Sequence, residues 1–386
     1  MFNLEKSHFG YWSVGDYKTF SKLEALEIQI KLNQPIKFHF NDEVYGAVDW
    51  TQEPAQSLTD MYFERARQIR AKYDYVVLFF SGGADSYNVL QAFVHAGVKI
   101  DEIASFTYTQ ADKSKTSFMN REIFETSLPI SHRLKEQNPL YKDLVIREID
   151  LSEHTKNVLT NNLYDIEYFG GIVPSPWRQS GSMHRDLIPD YKKLCSEKRV
   201  VFVYGHEKIS NVKFEQGKFY FGFHELTSSM VDVRTQVLNR PEDHDEYFYS
   251  TPDAPLIHVK QAHLIKNFLK TAPADHPWLS RTTHSPYGHV PKWYDGRWQT
   301  HWLTYIGLHS IVYPWFDPKM YVTPKIQNMV FSDRDNWVYK DSVLGPKHRS
   351  WVDSMVKKFG SKWMTVIKPG VAHTGHHFGT TYCLGK

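Results

Sequence analysis

The clearest hydrophobic pattern in the chain is a continuous apolar run over residues 75–80, followed at once by a short polar corner with two glycines. Apolar residues at consecutive positions are typical of a strand that is buried on both faces, as in a parallel sheet. Residues 88–96 then have the composition of a helix, and Gly97 is a suitable end for it. The pattern predicts a strand, a tight turn and a helix, with the strand at the centre of a sheet.

Similar patterns recur along the chain and place this unit in a larger sheet. Apolar runs predict further strands at residues 103–108, 144–149 and 199–204. Helical patterns or capping signals predict helices at residues 57–72, 120–137, 186–198 and 256–269. Strands that alternate with helices are typical of parallel, right-handed crossover units. We therefore predict an α/β fold, an open parallel sheet of about five strands with helices on both faces.

The helix expected from Ser57 to about residue 72 shows one apolar stripe. Ser57 is a suitable N-cap residue, and the stripe consists of Leu58, Met61, Tyr62, Ala66 and Ile69. The arginines Arg65, Arg67 and Arg70 are expected on the polar side of the helix. This helix should pack beside the central sheet.

The segments on either side of the predicted sheet differ from it. Residues 36–40 and 44–48 are separated by Asn41-Asp42, which predicts a β-hairpin in a small β-rich N-terminal lead-in. After residue 225 the chain is expected to be mainly helical, irregular and rich in aromatic residues. We divide it into an N-terminal segment, a central α/β domain and a C-terminal region, at residues 1–55, 56–225 and 226–386.

The composition is that of an ordinary globular protein. The chain has 386 residues, of which 41% are hydrophobic and 23% charged, and a net charge of +3, so nothing indicates a nucleic-acid coat. Its two cysteines, Cys195 and Cys383, argue against a disulfide framework and favour the reducing cytoplasm. No apolar run has the ~20 residues of a membrane span, and the first residues do not resemble a signal peptide. A homo-oligomer is compatible with this composition.

The corner at residues 81–86 has the sequence Ser-Gly-Gly-Ala-Asp-Ser. Glycines let the backbone turn sharply and approach a ligand closely, and the N-terminus of the following helix offers N–H groups and a positive dipole end. Such a corner binds anions, most often phosphate; the alternative is a tight turn without a ligand. The lysine of a Walker A motif is absent, which disfavours a phosphoryl-transferring P-loop enzyme.

These six residues resemble the pyrophosphate loop, SGGxDS, of the ATP pyrophosphatase (PP-loop) superfamily, whose members have an open parallel sheet of the HUP type. Two further sequence segments are similar to the asparagine synthetase branch of this superfamily. Gly205, followed by Glu207, matches a glycine and an acidic residue at the end of a later strand, although His206 and Lys208 depart from the usual sequence. Residues 311–317 resemble a segment of the synthetase domain, so that the similarity extends over about residues 70–330.

The resemblance implies ATP and Mg²⁺ as ligands of this corner. The backbone of Gly82, Gly83 and Ala84 would hold the phosphates, the hydroxyls of Ser81 and Ser86 would add donors, and Gly205 would lie beside them. Mg²⁺ would be held by Asp85 and Glu207, and the catalytic residues would be Asp85, Glu207 and Lys208. Lys113 and Lys115 are alternative counter-charges for phosphate. Phe106, Thr107 and Tyr108, at the end of the next strand, are candidates to face adenine, with core packing as the alternative.

The resemblance further implies an AMP-forming ligase. A carboxylate or carbonyl oxygen of an unidentified small-molecule or nucleobase acceptor attacks the α-phosphorus of ATP, pyrophosphate leaves, and an amine or ammonia then displaces AMP. Phe2 stands where glutamine-dependent relatives have a nucleophilic cysteine, so that free ammonia or an amine, not glutamine, is the expected donor.

Two other functions remain open. One is a different PP-loop chemistry, such as nucleobase modification, thiolation or sulfonucleotide reduction; sulfur chemistry usually needs reactive cysteines, and only two are present. The other is a nucleotide-binding module that has lost catalysis, which the altered residues 205–208 favour and the intact residues 81–86 oppose.

The C-terminal region contains further candidates of lower specificity. His373, His376 and His377 suggest a metal site, but their spacing matches no strong one, and an exposed or locally packed tail is the preferred interpretation. The aromatic-rich residues 293–316 are expected to close over the nucleotide.

Overall fold

The computed structural model describes residues 10–19, 22–117, 119–161, 189–205, 209, 212–224, 243–273, 276–279, 303, 305–320, 333–359, 367–368, 371–372 and 378–386. The strands in these ranges are β1 (Tyr11–Val14), β2 (Tyr17–Thr19), β3 (Ile36–His39), β4 (Tyr75–Phe79), β5 (Glu102–Thr107), β6 (Val145–Asp150), β7 (Val200–Tyr204), β8 (Val212–Glu215), β9 (Lys218–His224), β10 (Asp243–Tyr247), β11 (Ile367–Lys368), β12 (Val371–Ala372) and β13 (Phe378–Gly385).

The α-helices in the same ranges are α1 (Lys22–Leu32), α2 (Asp42–Gly46), α3 (Leu58–Lys72), α4 (Ala84–His95), α5 (Leu128–Gln137), α6 (Ser152–Asn161), α7 (Pro189–Glu197), α8 (Leu256–Thr271), α9 (Tyr305–Val312), α10 (Asp333–Lys340) and α11 (Leu344–Phe359). A π-helix, Ile123–Ser127, precedes α5, and short 3-10 turns lie at Pro139–Tyr141 and Pro318–Met320. None of the described helices is long and apolar enough to span a membrane.

A five-stranded sheet in the order β10-β7-β4-β5-β6 forms the centre of the described structure. All of its strand pairs are parallel. Strand β4 is the central strand, and Val76, Val77 and Leu78 in it are fully buried. The predicted parallel sheet and the central position of the strand at residues 75–80 are therefore confirmed.

Different helices cover the two faces of this sheet. Val76 and Leu78 of β4 pack into a large hydrophobic cluster together with residues of α3, α4 and α8. Val77 and Phe79 belong to a smaller cluster on the other face, which α7 completes. Because both faces are covered, β4 is apolar at consecutive positions and not at alternate ones.

Strand β10 was not predicted, because its sequence, Asp-His-Asp-Glu-Tyr, is charged. Glu246 in it is buried, and it accepts hydrogen bonds from Arg65, from Lys72 Nζ (2.8 Å) and from Tyr73 Oη (2.7 Å). Burial alone would raise the pKa of Glu246, but the charges of Arg65 and Lys72 lower it to about 2.

Arg65 corrects a second expectation about this region. It was expected on the polar side of α3, yet it is buried, and its guanidinium also donates to Gln68 Oε1 (2.7 Å) and to the carbonyl of Tyr247 (3.1 Å). The apolar stripe of α3 is buried as predicted, and Ser57 caps the helix by accepting from Asp60 N at 3.1 Å. A buried charge is tolerated when it is paired, and Arg65 and Glu246 form such a pair.

The β-hairpin predicted at residues 36–48 is wrong. Strand β3 pairs antiparallel with β1, in a sheet of order β2-β1-β3, and Asp42–Gly46 forms helix α2. Asn41 has a left-handed backbone (φ +49°), which ends the strand. The Asp42 carboxylate then accepts from Phe40 N (3.4 Å) and contacts His39, so the chain turns into a helix instead of returning as a strand.

The C-terminal region contributes strands as well as helices. β10 lies beyond residue 225 and completes the central sheet, and β13 pairs with β9 in an antiparallel sheet of order β13-β9-β8. This sheet adjoins the N-terminal one, because a Cβ atom on Gly379 would lie 3.3 Å from the carbonyl oxygen of Phe38. Regions that are distant in the sequence thus share a single large hydrophobic cluster.

Candidate functional site

Residues 81–86 connect the carboxyl end of β4 with the first turn of α4, as predicted. The strand hydrogen bonds continue to Phe80, whose N–H donates to the carbonyl of Ala104 at 2.9 Å. Its carbonyl oxygen accepts from two buried hydroxyls, Ser105 Oγ (2.8 Å) and Ser127 Oγ (2.9 Å). The start of this loop is therefore held in place by the neighbouring strand and by the π-helix.

The two serines of the loop hydrogen-bond to each other and to its backbone. Ser81 Oγ lies 3.2 Å from Ser86 Oγ and accepts from Gly83 N at 3.3 Å, and Ser86 Oγ donates to the carbonyl of Gly83 at 3.3 Å. Ser81 is exposed, whereas Ser86 is buried. Ser86 thus stabilises the turn from inside, and Ser81 presents its hydroxyl to the solvent side.

Two glycines allow backbone segments to approach this loop. Gly82 has a φ of +79°, and a Cβ atom there would lie 2.6 Å from the carbonyl oxygen of Glu122, just before the π-helix. Gly205, at the end of β7, would place a Cβ atom 2.8 Å from Cα of Ser86. A side chain at either position would displace backbone, so both positions need glycine. Gly205 lies beside the loop, where the sequence analysis placed it.

The N-terminus of α4 lies at the carboxyl end of β4 and has no side-chain cap from its N-cap residue, Gly83. The first N–H groups of a helix lack partners within the helix, and the helix dipole adds positive potential there. In an open parallel sheet, ligands bind at the carboxyl ends of the strands. The loop therefore combines the features of an anion-binding site.

Asp85, in the first turn of α4, contacts a distant part of the chain. Tyr313 Oη donates a hydrogen bond to Asp85 Oδ1, and His309 Nε2 of α9 lies 3.7 Å from the same oxygen. Tyr249 Oη donates to the backbone carbonyl of Asp85 at 2.9 Å. The Asp85 side chain is 29% exposed and that of His309 1%, so a partly exposed carboxylate is held by a buried tyrosine and a buried histidine.

A network of buried polar groups keeps Tyr313 in this position. Its ring stacks on Tyr249, with centroids 5.4 Å apart, and Tyr249 Oη accepts from Asn88 Nδ2 at 2.9 Å. Tyr62 Oη donates to the carbonyl of Val312 at 2.8 Å. Burial and the nearby charge of Asp85 raise the pKa of Tyr313 well above its ordinary value. The phenol thus stays protonated at neutral pH and remains a donor to Asp85.

Tyr313 and His309 had not been recognised as site residues. The only signal in the sequence was the resemblance of residues 311–317, which did not indicate a partner for Tyr313. The contact joins positions 228 residues apart, and no local pattern predicts such a pair.

The three residues considered for an adenine contact differ in exposure. Phe106 is partly buried and stacks on Phe79, with ring centroids 5.0 Å apart. Thr107 and Tyr108 are fully buried, and the Tyr108 ring meets Trp337 of α10 edge-on at 6.1 Å. Of the three side chains, that of Phe106 is the one with a partly accessible surface.

The segment after β5 is held by Asp150 and Asn120. Asp150, at the end of β6, accepts hydrogen bonds from Thr109 Oγ1, Gln110 N (2.9 Å) and Ser152 N (2.8 Å). Burial alone would raise the pKa of Asp150, but hydrogen bonds from Ser152 and Thr109 lower it. Asn120 accepts from Tyr108 N at 2.8 Å. These side chains fix the loop that follows the carboxyl end of β5.

The remaining predicted residues are placed in part. Lys113 and Lys115 are exposed, and Lys115 Nζ lies 4.8 Å from the ring centroid of Phe124 in the π-helix. Glu207 and Lys208 lie outside the described residues, as do His206 and the tail histidines His373, His376 and His377. Within the described ranges, no three His, Cys, Asp or Glu residues are grouped so that they could hold a metal ion.

A comparison with models of known protein families and a search among curated proteins gave no match. The function is therefore inferred from the geometry of the loop and its surroundings.

Proposed function

We propose that the chain binds ATP with Mg²⁺ at residues 81–86 and uses it in an AMP-forming ligation of the PP-loop type. The observation that supports this most strongly is the position of the Ser-Gly-Gly-Ala-Asp-Ser loop. It follows the central strand of a parallel sheet and ends at an uncapped helix N-terminus. Gly205 leaves room for the neighbouring strand end to approach. Loops of this kind bind phosphate groups.

The donors around the loop fit a polyphosphate. Backbone N–H groups at Gly83 and Ala84, together with the exposed Ser81 hydroxyl, are hydrogen-bond donors for phosphate oxygens. The hydrogen bond from Gly83 N to Ser81 Oγ is long, at 3.3 Å, so that a phosphate oxygen would compete with it readily. A fixed set of donors that receives the leaving pyrophosphate lowers the barrier of the reaction electrostatically.

Asp85 is the residue of the described site that would hold Mg²⁺. It is a partly exposed carboxylate next to the proposed phosphate position, and Mg²⁺ prefers one or two carboxylates together with phosphate oxygens. The metal ion would neutralise charge on the phosphates. Tyr313 orients the carboxylate by donating to one of its oxygens. Glu207 is proposed as a second carboxylate on the grounds of sequence alone.

The proposed reaction proceeds in two displacements. An oxygen of the acceptor attacks the α-phosphorus, the bond to the β-phosphate breaks, and pyrophosphate leaves with the bonding electrons. Ammonia or an amine then attacks the activated carbon, and AMP leaves. The protein contributes by positioning the triphosphate along the loop and by keeping donors around it. The absence of a Walker lysine favours cleavage between the α- and β-phosphates over transfer of the terminal phosphoryl group.

The proposal is tested by following the products from labelled ATP across a panel of carboxylates and nucleosides, each with ammonium, glutamine or no nitrogen source. AMP and pyrophosphate are expected with the right acceptor, and ADP with phosphate would contradict the proposal. Asp85→Asn should abolish turnover. Asp143→Asn, an exposed residue just before β6 at the opposite end of the sheet, is the matched control and should retain it.

A second candidate is a nucleotide-binding module without turnover. The observation in its favour is that the Asp85 carboxylate already accepts a hydrogen bond from a buried tyrosine, which is a structural use of this residue. Such a module would bind ATP with an affinity that does not depend on Mg²⁺ and would release no pyrophosphate with any acceptor. Calorimetric titration with ATP, in the presence of Mg²⁺ and of a chelator, distinguishes the two functions.

Sulfur chemistry has less support. Cys195 is buried in the smaller core cluster, and buried structural cysteines are unreactive. Cys383 lies on β13, which pairs with β9 in a different sheet from that of the loop.

A further inference from the structure

Three polar side chains on the N-terminal sheet form a continuous hydrogen-bonded chain. Ser13 Oγ lies 2.8 Å from His39 Nε2, and the other ring nitrogen, His39 Nδ1, lies 2.8 Å from Asp42 Oδ2. The imidazole therefore joins a hydroxyl to a carboxylate through its two nitrogens. This is the arrangement by which serine hydrolases activate their nucleophile, and it is recognised by geometry and not by position in the sequence.

The pairing of the strands explains how these residues meet. β1 and β3 are antiparallel neighbours, with Tyr11 opposite His39. Side chains alternate between the faces of a strand, and the buried Trp12 and Val14 on either side of Ser13 point to the core. Ser13 and His39 thus share the other face. The left-handed Asn41 then turns the chain and brings Asp42 next to His39.

The Asp42 carboxylate favours the tautomer of His39 that catalysis requires. Burial alone would raise the pKa of Asp42, but hydrogen bonds from His39, Phe40 N and the Thr380 side chain, and the attraction of His39, lower it. Because an ionised carboxylate only accepts, Nδ1 of His39 carries a proton, and in the neutral imidazole Nε2 is then the acceptor for the Ser13 hydroxyl. Tyr11 stacks on the imidazole, with centroids 4.7 Å apart and planes at 14°, which fixes the orientation of the ring.

Solvent reaches the side chains of His39 and Asp42, whereas Ser13 is nearly buried. The side chains of His39 and Asp42 are 24% and 33% exposed, and Ser13 as a whole is 8% exposed. A nucleophilic serine needs only a small exposed surface, because the carbonyl carbon of the substrate has to reach only its Oγ atom. We propose that Ser13, His39 and Asp42 form a hydrolytic site for carboxylic esters, separate from residues 81–86.

The proposed reaction is an acyl transfer through Ser13. Its Oγ attacks the ester carbonyl carbon while His39 Nε2 takes the hydroxyl proton. The bond from the carbonyl carbon to the ester oxygen then breaks, and His39 returns the proton to the leaving alcohol. Water attacks the acyl-serine with His39 again as the base, which releases a carboxylic acid and restores the serine. Asp42 holds the imidazole in the required tautomer and stabilises its charged form.

The neighbours of Ser13 indicate the class of ester. Lys18 on β2 and Lys37 on β3 are its two directly opposite residues, and both are exposed. Directly opposite residues project to the same face of a sheet. Two positive charges beside the nucleophile favour an ester whose acyl part carries an anionic group, and they also favour the oxyanion that develops during the attack.

The decisive experiment is labelling with a fluorophosphonate probe, which reacts covalently with activated serines, followed by peptide mass spectrometry. The wild-type chain should be labelled at Ser13. Ser13→Ala should lose the label, and His39→Gln, which retains a polar side chain of similar reach, should lose it with Ser13 still present. Ser196→Ala, an exposed serine of α7, is the control and should be labelled as fully as the wild type. Peptide mapping of the labelled wild-type chain shows whether Ser13 is the reactive serine, even if a variant does not fold.

Hydrolysis of nitrophenyl esters tests the substrate class. A nitrophenyl hemisuccinate should be cleaved faster than nitrophenyl acetate, and Ser13→Ala should lower kcat by ~10³-fold or more. Replacing Lys18 and Lys37 by Gln should remove the preference for the anionic ester, because kcat/KM for the hemisuccinate should fall further than kcat/KM for the acetate. Absence of the label from Ser13, or equal hydrolysis by Ser13→Ala, would overturn the proposal and leave the three side chains as a structural hydrogen-bond chain only.

Discussion

The two ends of the central sheet use their polar groups differently. At the amino ends of the strands, carboxylates are paired with arginines: Arg199 with Asp74 (2.8 Å), Arg70 with Asp101, and Arg147 with Glu102 (2.6 Å). At the carboxyl ends, the described partners of the Asp85 side chain are a phenol and an imidazole. The charged groups at the amino ends balance each other, whereas Asp85 at the carboxyl ends lies in the first turn of a helix whose N-cap residue supplies no side-chain cap.

This difference separates the structural end of the sheet from its proposed binding end. Glu102 is almost fully buried and accepts from Arg147, from Tyr191 Oη (2.5 Å) and from Tyr75 Oη (3.1 Å). A buried carboxylate of this kind stabilises the fold only while its cationic partner is present. An open helix N-terminus, in contrast, gains from an anion supplied by a ligand. Removing a charged partner at the amino ends should therefore change stability alone, whereas removing a polar group at the carboxyl ends should also change ligand binding.

The largest effect on stability is expected from Arg147→Met. It leaves Glu102 buried with phenol donors but without its cation, and the free energy of unfolding should fall by about 3 kcal/mol. Arg199→Met breaks an ion pair whose side chains are 62% and 47% exposed, and its effect on the free energy of unfolding should be far smaller, because solvent screens an exposed pair. Urea unfolding of both variants measures the contrast. Equal losses would mean that the burial of the pair does not decide its importance.

The next effect concerns Gly82, which lies close to the backbone of Glu122. Gly82→Ala places a Cβ atom 2.6 Å from backbone in a residue with φ +79°, and a loss of about 3 kcal/mol is expected from strain and overpacking together. Gly97 has φ +68° and nothing within 4 Å of a Cβ atom. Gly97→Ala should therefore cost only about 1 kcal/mol, from backbone conformation alone. Denaturant unfolding of both variants gives the difference between the two losses of stability, and this difference measures the contact with Glu122. Equal losses would show that the backbone at Glu122 yields to the added Cβ atom.

Much of this sheet was predictable because the responsible signals are local. The apolar run of β4 predicted a strand covered on both faces, and the corner at residues 81–86 predicted the turn into α4. Both depend on residues that follow one another in the chain, so periodicity and turn chemistry suffice. The place of Gly205 beside the loop was expected only from the resemblance to a known superfamily.

The features that were missed depend on distant partners. β10 has a charged sequence and is a strand because Arg65, 181 residues away, pairs with Glu246. The hairpin at residues 36–48 failed because β3 finds β1 as its partner and Asn41 turns the chain into α2. Thr107 and Tyr108 had been considered for adenine, yet their side chains are fully buried at the end of β5. Local propensity does not contain this information.

A smaller effect is expected from Tyr313→Phe, which removes the hydroxyl donor to Asp85 but keeps the stacked ring. The free energy of unfolding should fall by about 1 kcal/mol. If Asp85 holds Mg²⁺, the concentration of Mg²⁺ needed for half-maximal ATP binding should rise ~10-fold, because a partner that orients a metal ligand is lost.

Tyr141→Phe is the matched control for this variant. Tyr141 is a buried tyrosine whose hydroxyl donates to the carbonyl of Val98 at 2.7 Å, away from residues 81–86. It should show a similar loss of stability with no change in the Mg²⁺ dependence. A Tyr313→Phe protein that binds Mg²⁺ and ATP like the wild type would show that the hydrogen bond to Asp85 is purely structural.

The smallest effect lies at the exposed ion pair of the amino end. Hydrogen bonds from the Arg199 side chain and backbone, and the charge of Arg199, lower the pKa of Asp74 from 3.8 to about 2. Because the pKa is lower in the folded state, this pair stabilises the protein above about pH 4, and its contribution is lost as the pH falls towards 2. Carboxyl-carbon NMR titration should place the Asp74 midpoint near pH 2 in the wild type and return it towards 3.8 in Arg199→Met. A midpoint that does not move in the variant would show that solvent screens the pair completely, and the amino end of the sheet would then rely on its less exposed pairs, Arg70 with Asp101 and Arg147 with Glu102.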